Sequence, residues 1–247
     1  MLDFQVYPTY GLLSRAAADV VVSTLEAKPE AVICLPSGST PLGMFRELVL
    51  RHEQGLVNFT RCTFVGLDEW IGMGPEEEGS CRQVMDQDLL HPIGFRAEQI
   101  LFFNAKADDL PADCERINQA LQQLGGLDLI VLGIGMNGHL ALNEPGTPFD
   151  TYAHISELEP ITKEVGQKYF KTPTILTGGV TIGLRHMREA RQLVLLASGE
   201  AKAPAIARAL RGEVTESFPA SLVQEHPDAL VLLDSEAASD LLQPGLS

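Results

Sequence analysis

Basic residues are scarce in this chain. Its 247 residues hold 18 Lys and Arg against 33 Asp and Glu, a formal charge of −15. Binding to nucleic acid needs a basic footprint on one face, and no Lys/Arg cluster here supplies one. No nucleic-acid partner is therefore expected. An anionic ligand would need a local pocket of backbone N–H groups and a few cations to overcome the global field. Long apolar runs are missing too: no stretch approaches the ~20 residues that span a bilayer. The opening MLDFQVYPTYGLLSR has no basic start followed by an apolar run, so no signal peptide, no membrane association and a cytoplasmic location are expected. Cysteine is sparse, and Cys34, Cys62, Cys81 and Cys114 show neither CxxC nor His spacing. Reduced, mostly buried thiols are expected rather than disulfides. Three nitrogen or carboxylate ligands at metal-binding spacing are not apparent, so neither a metal nor a cofactor is expected. Internal repeats, low-complexity tracts and long linkers are also missing, which leaves residues 1–247 as one domain.

What the chain does have is a rhythm of apolar run, Gly-containing turn and helical stretch, with 45% hydrophobic residues to fill a core. The segments 31–36, 62–67, 128–134, 191–197 and 229–233 read as buried strands. Helices are expected at 10–27, 41–54, 80–90, 109–124, 181–190, 200–211 and 235–242. Alternation of this kind predicts an α/β fold: a doubly wound, mostly parallel sheet with helices on both faces. Ligands of such sheets sit beyond the carboxyl ends of the strands, and the chain's unusual polar residues follow those ends.

After the first strand comes Pro36-Ser37-Gly38-Ser39-Thr40-Pro41. Thr40 suits an N-cap and Pro41 a first helical position, and such a turn can cradle phosphate with its N–H groups. It can equally be an ordinary strand-to-helix turn. The fourth strand leads into Ser198-Gly199-Glu200-Ala201-Lys202. With Ser198 as N-cap, Lys202 would oppose the helix dipole unless an anion offset it. After the second strand stand Asp68, Glu69 and Trp70, the only Trp. Asp68 could be a general base in a partly desolvated pocket or merely cap a turn. The third strand is followed by GIGMNGHLALNEPG, 133–146. Its GxGxxG spacing is weak support for a dinucleotide site, because no long amphipathic helix follows. His139 and Glu144 in one Gly-flanked loop could move protons at neutral pH.

Together LPSGSTP (35–41), LDEW (67–70), GIGMNGHLALNEPG (133–146), SGEAK (198–202) and FPAS (218–221) resemble the glucosamine-6-phosphate deaminase/isomerase family, whose fold is a modified Rossmann-like sheet. The resemblance implies an enzyme that takes a phosphorylated amino sugar, with no metal or organic cofactor. It implies that His139 moves the ring-opening proton, that Glu144 orients that imidazole, and that Asp68 shuttles a proton from C2 to C1. Glu69 is the supporting member of the acidic pair. The phosphate is expected at Ser37, Gly38, Ser39 and Thr40, with Lys202 as principal cation. Lys168, in a mobile lid near 160–180, stands where the family usually has Arg; it lacks Arg's bidentate fork.

Asn137 occupies a position that is Asp in many members; it can hydrogen-bond the ring but cannot carry charge. Allosteric members use basic residues soon after the NEP motif, where this chain has His154 and Ser156, so no activation by an N-acetylated sugar phosphate is expected. LDEW, the short lid and HISEL look closest to a galactosamine-6-phosphate subgroup, which favours that epimer as substrate. A 6-phosphogluconolactonase usually continues Gly-His with Ala-Ser-Leu-Phe, unlike the sequence here. A sugar-phosphate sensor would need a DNA-binding module. A homo-oligomer is compatible with the sequence.

Overall fold

The computed structural model describes residues 3–242. Its principal sheet has seven parallel strands: β1 (Asp3–Tyr7), β2 (Val32–Leu35), β3 (Thr63–Gly66), β5 (Ile100–Leu101), β6 (Leu129–Leu132), β9 (Gln192–Ala197) and β10 (Ala229–Asp234). Their spatial order is β1-β10-β9-β6-β2-β3-β5. A smaller antiparallel sheet, β4-β8-β7, is made of β4 (Asp68–Trp70), β7 (His154–Ser156) and β8 (Gly179–Thr181). Helices are α1 (Tyr10–Ala27), α2 (Leu42–Glu53), α3 (Cys81–Met85), α4 (His91–Ile93), α5 (Leu110–Leu124), α6 (Pro160–Gly166), α7 (Leu184–Glu189), α8 (Ala203–Arg211) and α9 (Ser239–Leu242). Among the described residues no helix is long and apolar enough to cross a membrane.

The central strands are apolar along their length because both faces are covered. All four residues of VICL in β2 and of LIVL in β6 are buried, as a doubly wound parallel sheet requires. The five central strands fall where the apolar runs predict them. All four cysteines are buried and free. After β2 the chain builds outward through β3 and β5, then returns to the other side of β2 as β6. The reversal of winding opens a crevice between the loops that leave β2 and β6.

Several expectations are corrected. Helix α2 starts at Leu42 with Pro41 at its cap and no side-chain cap bond, so Thr40 does not cap it. Ser198 does not cap a helix either; its hydroxyl bonds to the Asp234 carboxylate, which also takes the Gly199 N–H at 3.1 Å. Lys202 thus ends a short 3-10 turn (Glu200–Lys202) before α8. The helix expected at 80–90 is α3, a π-helical turn over Asp86–Leu90, and α4 in succession. Asp68-Glu69-Trp70, given no element by the sequence pattern, is itself a short strand. The 181–190 segment contributes the end of β8 before α7 begins at Leu184. Edge strands β1 and β5 and helix α6 were not foreseen.

Candidate active site

The Pro36–Pro41 turn is held from below by Tyr10. The Tyr10 hydroxyl donates to the Thr40 carbonyl at 2.8 Å and accepts the Gly43 N–H at 2.7 Å. Ser37, Gly38, Ser39 and Thr40 all line the crevice. Facing them are Lys202, from the turn after β9, and Lys168, from the segment that follows α6. Lys202 Nζ donates to the Ile134 carbonyl at 2.6 Å, which aims it across the end of β6. Neither lysine has a carboxylate partner among the described residues. Burial lowers both ammonium pKa values, and the charge of Lys168 lowers that of Lys202 further. Two desolvated cations that repel one another beside a Gly/Ser turn form a place for an anion.

Asp68 and Glu69 point to opposite sides of β4. Glu69 is almost fully buried and accepts three backbone N–H groups: Trp70 at 2.8 Å, Cys81 at 2.9 Å and Arg82 at 2.8 Å. It ties the start of α3 to β4. Asp68 instead lines the crevice. Burial pushes its pKa up to about 7; the Cys81 thiol opposes this with a hydrogen bond, and the Glu69 charge adds to it. Such a carboxyl is poised to gain or lose a proton near neutrality. It is no turn cap.

The Gly133–Gly146 loop carries the second proton-transfer group. His139 Nδ1 lies 3.4 Å from Glu144 Oε2. Asn137 Nδ2 donates to the same carboxylate at 2.8 Å, and its Oδ1 accepts the His139 N–H at 3.3 Å. Asn137 therefore braces Glu144 and the loop backbone while lining the crevice. Burial works to raise the Glu144 pKa, but bonds from His139, Thr162 and Asn137 outweigh it and hold the carboxyl below its usual range. Two glycines make the loop possible. A Cβ on Gly135 would lie 2.5 Å from the imidazole, and Gly138, at φ +84°, would drive one to 2.2 Å from the Phe218 ring. Phe218 belongs to FPAS, whose Ala220 N–H bonds the Gly138 carbonyl at 2.8 Å, so that segment buttresses the loop from behind. Asn143 braces the other end, donating to the Leu140 and Ile182 carbonyls at 2.9 and 2.8 Å.

The crevice therefore gathers Asp68, Asn137, His139, Ser37, Gly38, Ser39, Thr40, Lys168 and Lys202 into one lining. Glu144 stands directly behind His139, and Glu69 is the one expected residue turned away. Sequence reasoning missed Thr162, Tyr169 and Cys81. Thr162 Oγ1 is 3.2 Å from His139 Nδ1. Tyr169 lines the crevice, its hydroxyl 3.4 Å from where a Cβ on Gly38 would stand. Burial pushes the Tyr169 phenol up to about 12, helped by the charges of Cys81 and Asp68. None of the three belongs to a motif that announces chemistry on its own; only the adjacency of Tyr169 to Lys168 could have drawn attention to it.

Residues 11–232 match the family described as glucosamine-6-phosphate isomerases/6-phosphogluconolactonase. A glucosamine-6-phosphate deaminase of Bacillus velezensis is 37% identical over 230 residues, which cover 93% of this chain and 95% of that one. A solved monomeric glucosamine-6-phosphate deaminase superposes with a TM-score of 0.94 at 35% identity, over 97% of this chain and 100% of the other. The 6-phosphogluconolactonase of Trypanosoma brucei, with a TM-score of 0.76 and 21% identity over 98% and 99% of the two chains, shares the fold. On the family match, the extent of these likenesses and the shared fold, the chain belongs to the glucosamine-6-phosphate isomerase/6-phosphogluconolactonase family.

Proposed function

We propose that this chain is a hexosamine-6-phosphate deaminase and isomerase that converts its substrate and water to a ketohexose 6-phosphate and ammonia, with glucosamine 6-phosphate as substrate. The observation that carries the reading is the disposition of the crevice. Two unpaired lysines and a Gly/Ser turn stand at one part, and Asp68 and the His139–Glu144 pair line the rest. A phosphorylated sugar fits that polarity. The names of well-covered relatives favour the glucose epimer.

In this reading the phosphate rests on the Ser37–Thr40 turn against Lys202, and Lys168 closes over it from a lid near 160–180. His139 moves a proton from O1 to the ring oxygen, opening the ring. Asp68, ionised in part because its pKa lies near 7, takes the proton from C2 and returns it to C1. The C1–C2 enolamine thus becomes a C2 imine. Water adds to C2, ammonia leaves, and a 2-ketose remains. Glu144 stabilises the imidazolium whenever His139 holds the extra proton. Asn137 holds Glu144 and carries no proton.

Galactosamine 6-phosphate is the second reading, favoured by Trp70 in place of the commoner Tyr after Asp-Glu and by the HISEL segment. The test supplies each epimer separately and follows ammonia and ketose phosphate. Ammonia from glucosamine 6-phosphate at the higher kcat/KM is expected. A preference for galactosamine 6-phosphate keeps the mechanism and reverses the epimer. Ammonia from neither epimer refutes the deaminase reading and makes lactone hydrolysis the reaction to assay.

A further inference from the structure

Thr162 lies on α6, outside every motif that pointed to the crevice, yet it is buried and reaches the proton-transfer pair. Its Oγ1 stands 3.2 Å from His139 Nδ1, on the same nitrogen that faces Glu144 Oε2 at 3.4 Å. The N–H of Glu159, just before α6, donates to the other Glu144 oxygen at 3.4 Å. The lid helix therefore meets the His139–Glu144 pair from two positions.

The donors and acceptors can be counted. Glu144 is ionised and only accepts, while a threonine hydroxyl donates one proton and accepts at its lone pairs. If His139 carried its proton on Nε2, the Thr162 hydroxyl would donate to Nδ1, but the Nδ1 acceptor would also face an ionised carboxylate at 3.4 Å. With the proton on Nδ1, the imidazole donates towards Glu144 and the Thr162 oxygen, and the Thr162 hydroxyl proton remains free to bond Glu144. This second tautomer replaces a repulsive contact between two acceptors with an attractive one, because Nδ1 then presents a proton to the carboxylate 3.4 Å away. It also leaves Nε2 bare on the crevice side, ready to take a proton from a ligand. The charged or titratable groups around the pair are Glu144 on its own loop, Asp68 and Glu69 on β4, Glu159, Lys163 and Glu164 on or beside α6, and Lys168 and Lys202 across the crevice.

We propose that Thr162 is a positioning residue for proton transfer by His139: carried in by the lid helix, its hydroxyl fixes the Nδ1–H tautomer and the ring orientation when the lid is docked. Docking of the lid and readiness of the base then become one event, so an open crevice holds a poorly oriented imidazole. The inference rests on the deaminase reading for its kinetic consequences but not for the tautomer itself.

The experiment compares Thr162→Val, which keeps shape and removes the hydroxyl, with Thr162→Ser, which restores it. Following ammonia release, Thr162→Val is expected to lower kcat by about 10- to 100-fold with KM changed less than about threefold, by analogy with the loss when an outer partner of a metal-bound His is removed. Thr162→Ser is expected to recover most of kcat. A second readout does not need turnover: ¹⁵N NMR of the imidazole ring, assigned by the signals lost in His139→Gln, should show the Nδ1–H tautomer in the wild type and a mixture in Thr162→Val. If Thr162→Val proves unstable, the wild-type tautomer alone remains decisive. A wild-type ring protonated on Nε2, or a folded Thr162→Val with unaltered kcat and ring signals, overturns the proposal. A wild type that releases no ammonia refutes the deaminase reading, and the NMR comparison still decides the role of Thr162.

Discussion

Asp68 and Glu69 are adjacent, and their different surroundings give them different work. Three backbone N–H groups compensate Glu69 for burial, so it serves as a clamp between β4 and α3. Asp68 is offered a thiol and a neighbouring negative charge, and its pKa rises from 3.8 to about 7. A raised carboxyl pKa costs stability wherever the unfolded chain ionises first. Between pH 4 and 7 the unfolded state releases its proton while the folded state keeps it, so stability falls as pH rises through that window. Asp68→Asn removes the conflict. It is expected to abolish ammonia release and to stabilise the fold by up to about 4 kcal/mol above pH 7, a gain that vanishes towards pH 4. Denaturant titrations at pH 4 and pH 8 check this; equal ΔΔG at the two values would show that Asp68 is not the strained acid described here. Such a cost kept at a reactive carboxyl marks function rather than packing.

At the scale of elements, legibility followed burial. Segments such as VICL, LIVL and QLVLLA are apolar because they are covered on both faces, so pattern alone placed them as strands. The edge strand DFQVY alternates polar and apolar residues, and β5 is only two residues long. Neither offers the continuous apolar run that marks the central strands; the alternation in DFQVY is the one signal and spans only five residues. The β4-β8-β7 sheet was hidden because its three-residue strands contain Asp, Glu, His, Ser, Gly and Thr, and they are held by pairing between distant segments rather than by local preference. Asp68, His139 and Lys202 were legible because each follows the carboxyl end of a central strand. Thr162 was not, because its partner lies 23 residues away across the lid. The single tryptophan now becomes useful. Trp70 is buried against α6: a Cβ on Gly166 would stand 3.5 Å from its Cη2, and its indole N–H has no partner. If α6 swings away in the unliganded protein, the indole meets water. Saturation with inorganic phosphate or substrate, which in the proposed reading draws Lys168 inward, is expected to shift Trp70 emission to the blue. Emission unmoved by saturating ligand would mean that the lid helix stays docked throughout.

At the scale of the whole molecule, each group assigned to the crevice comes from this one chain. The loops after β2, β6 and β9 converge because the sheet reverses its winding between β2 and β6, and the small sheet brings β4 and the lid to the same place. Nothing in the proposed chemistry waits for a second subunit, whatever the chain assembles into. The same frame bears on regulation. A second sugar-phosphate site beyond the NEP motif would need cations near β7; Arg185, over the Tyr152 ring, is paired with Glu189, and the strand itself offers His154. Its Nδ1 is 2.9 Å from the Tyr152 carbonyl, and burial lowers its pKa, so it is neutral at physiological pH. A neutral imidazole and Ser156 offer a phosphate dianion little to bind, in a molecule whose overall charge of −15 already repels anions. Coupling between sites requires two sites and two states that bind their ligands differently, and the side chains of β7 offer no such second anion site. We therefore expect hyperbolic saturation, a specific activity that does not fall over about a hundredfold dilution as that of an assembly dissociating by mass action would, and no displacement of the curve by N-acetylglucosamine 6-phosphate. Initial rates across substrate, enzyme and effector concentrations measure all three. Sigmoidal saturation relieved by the N-acetylated sugar would place a second anion site in the fold, and loss of activity on dilution would make the site depend on a neighbour that the single chain does not require.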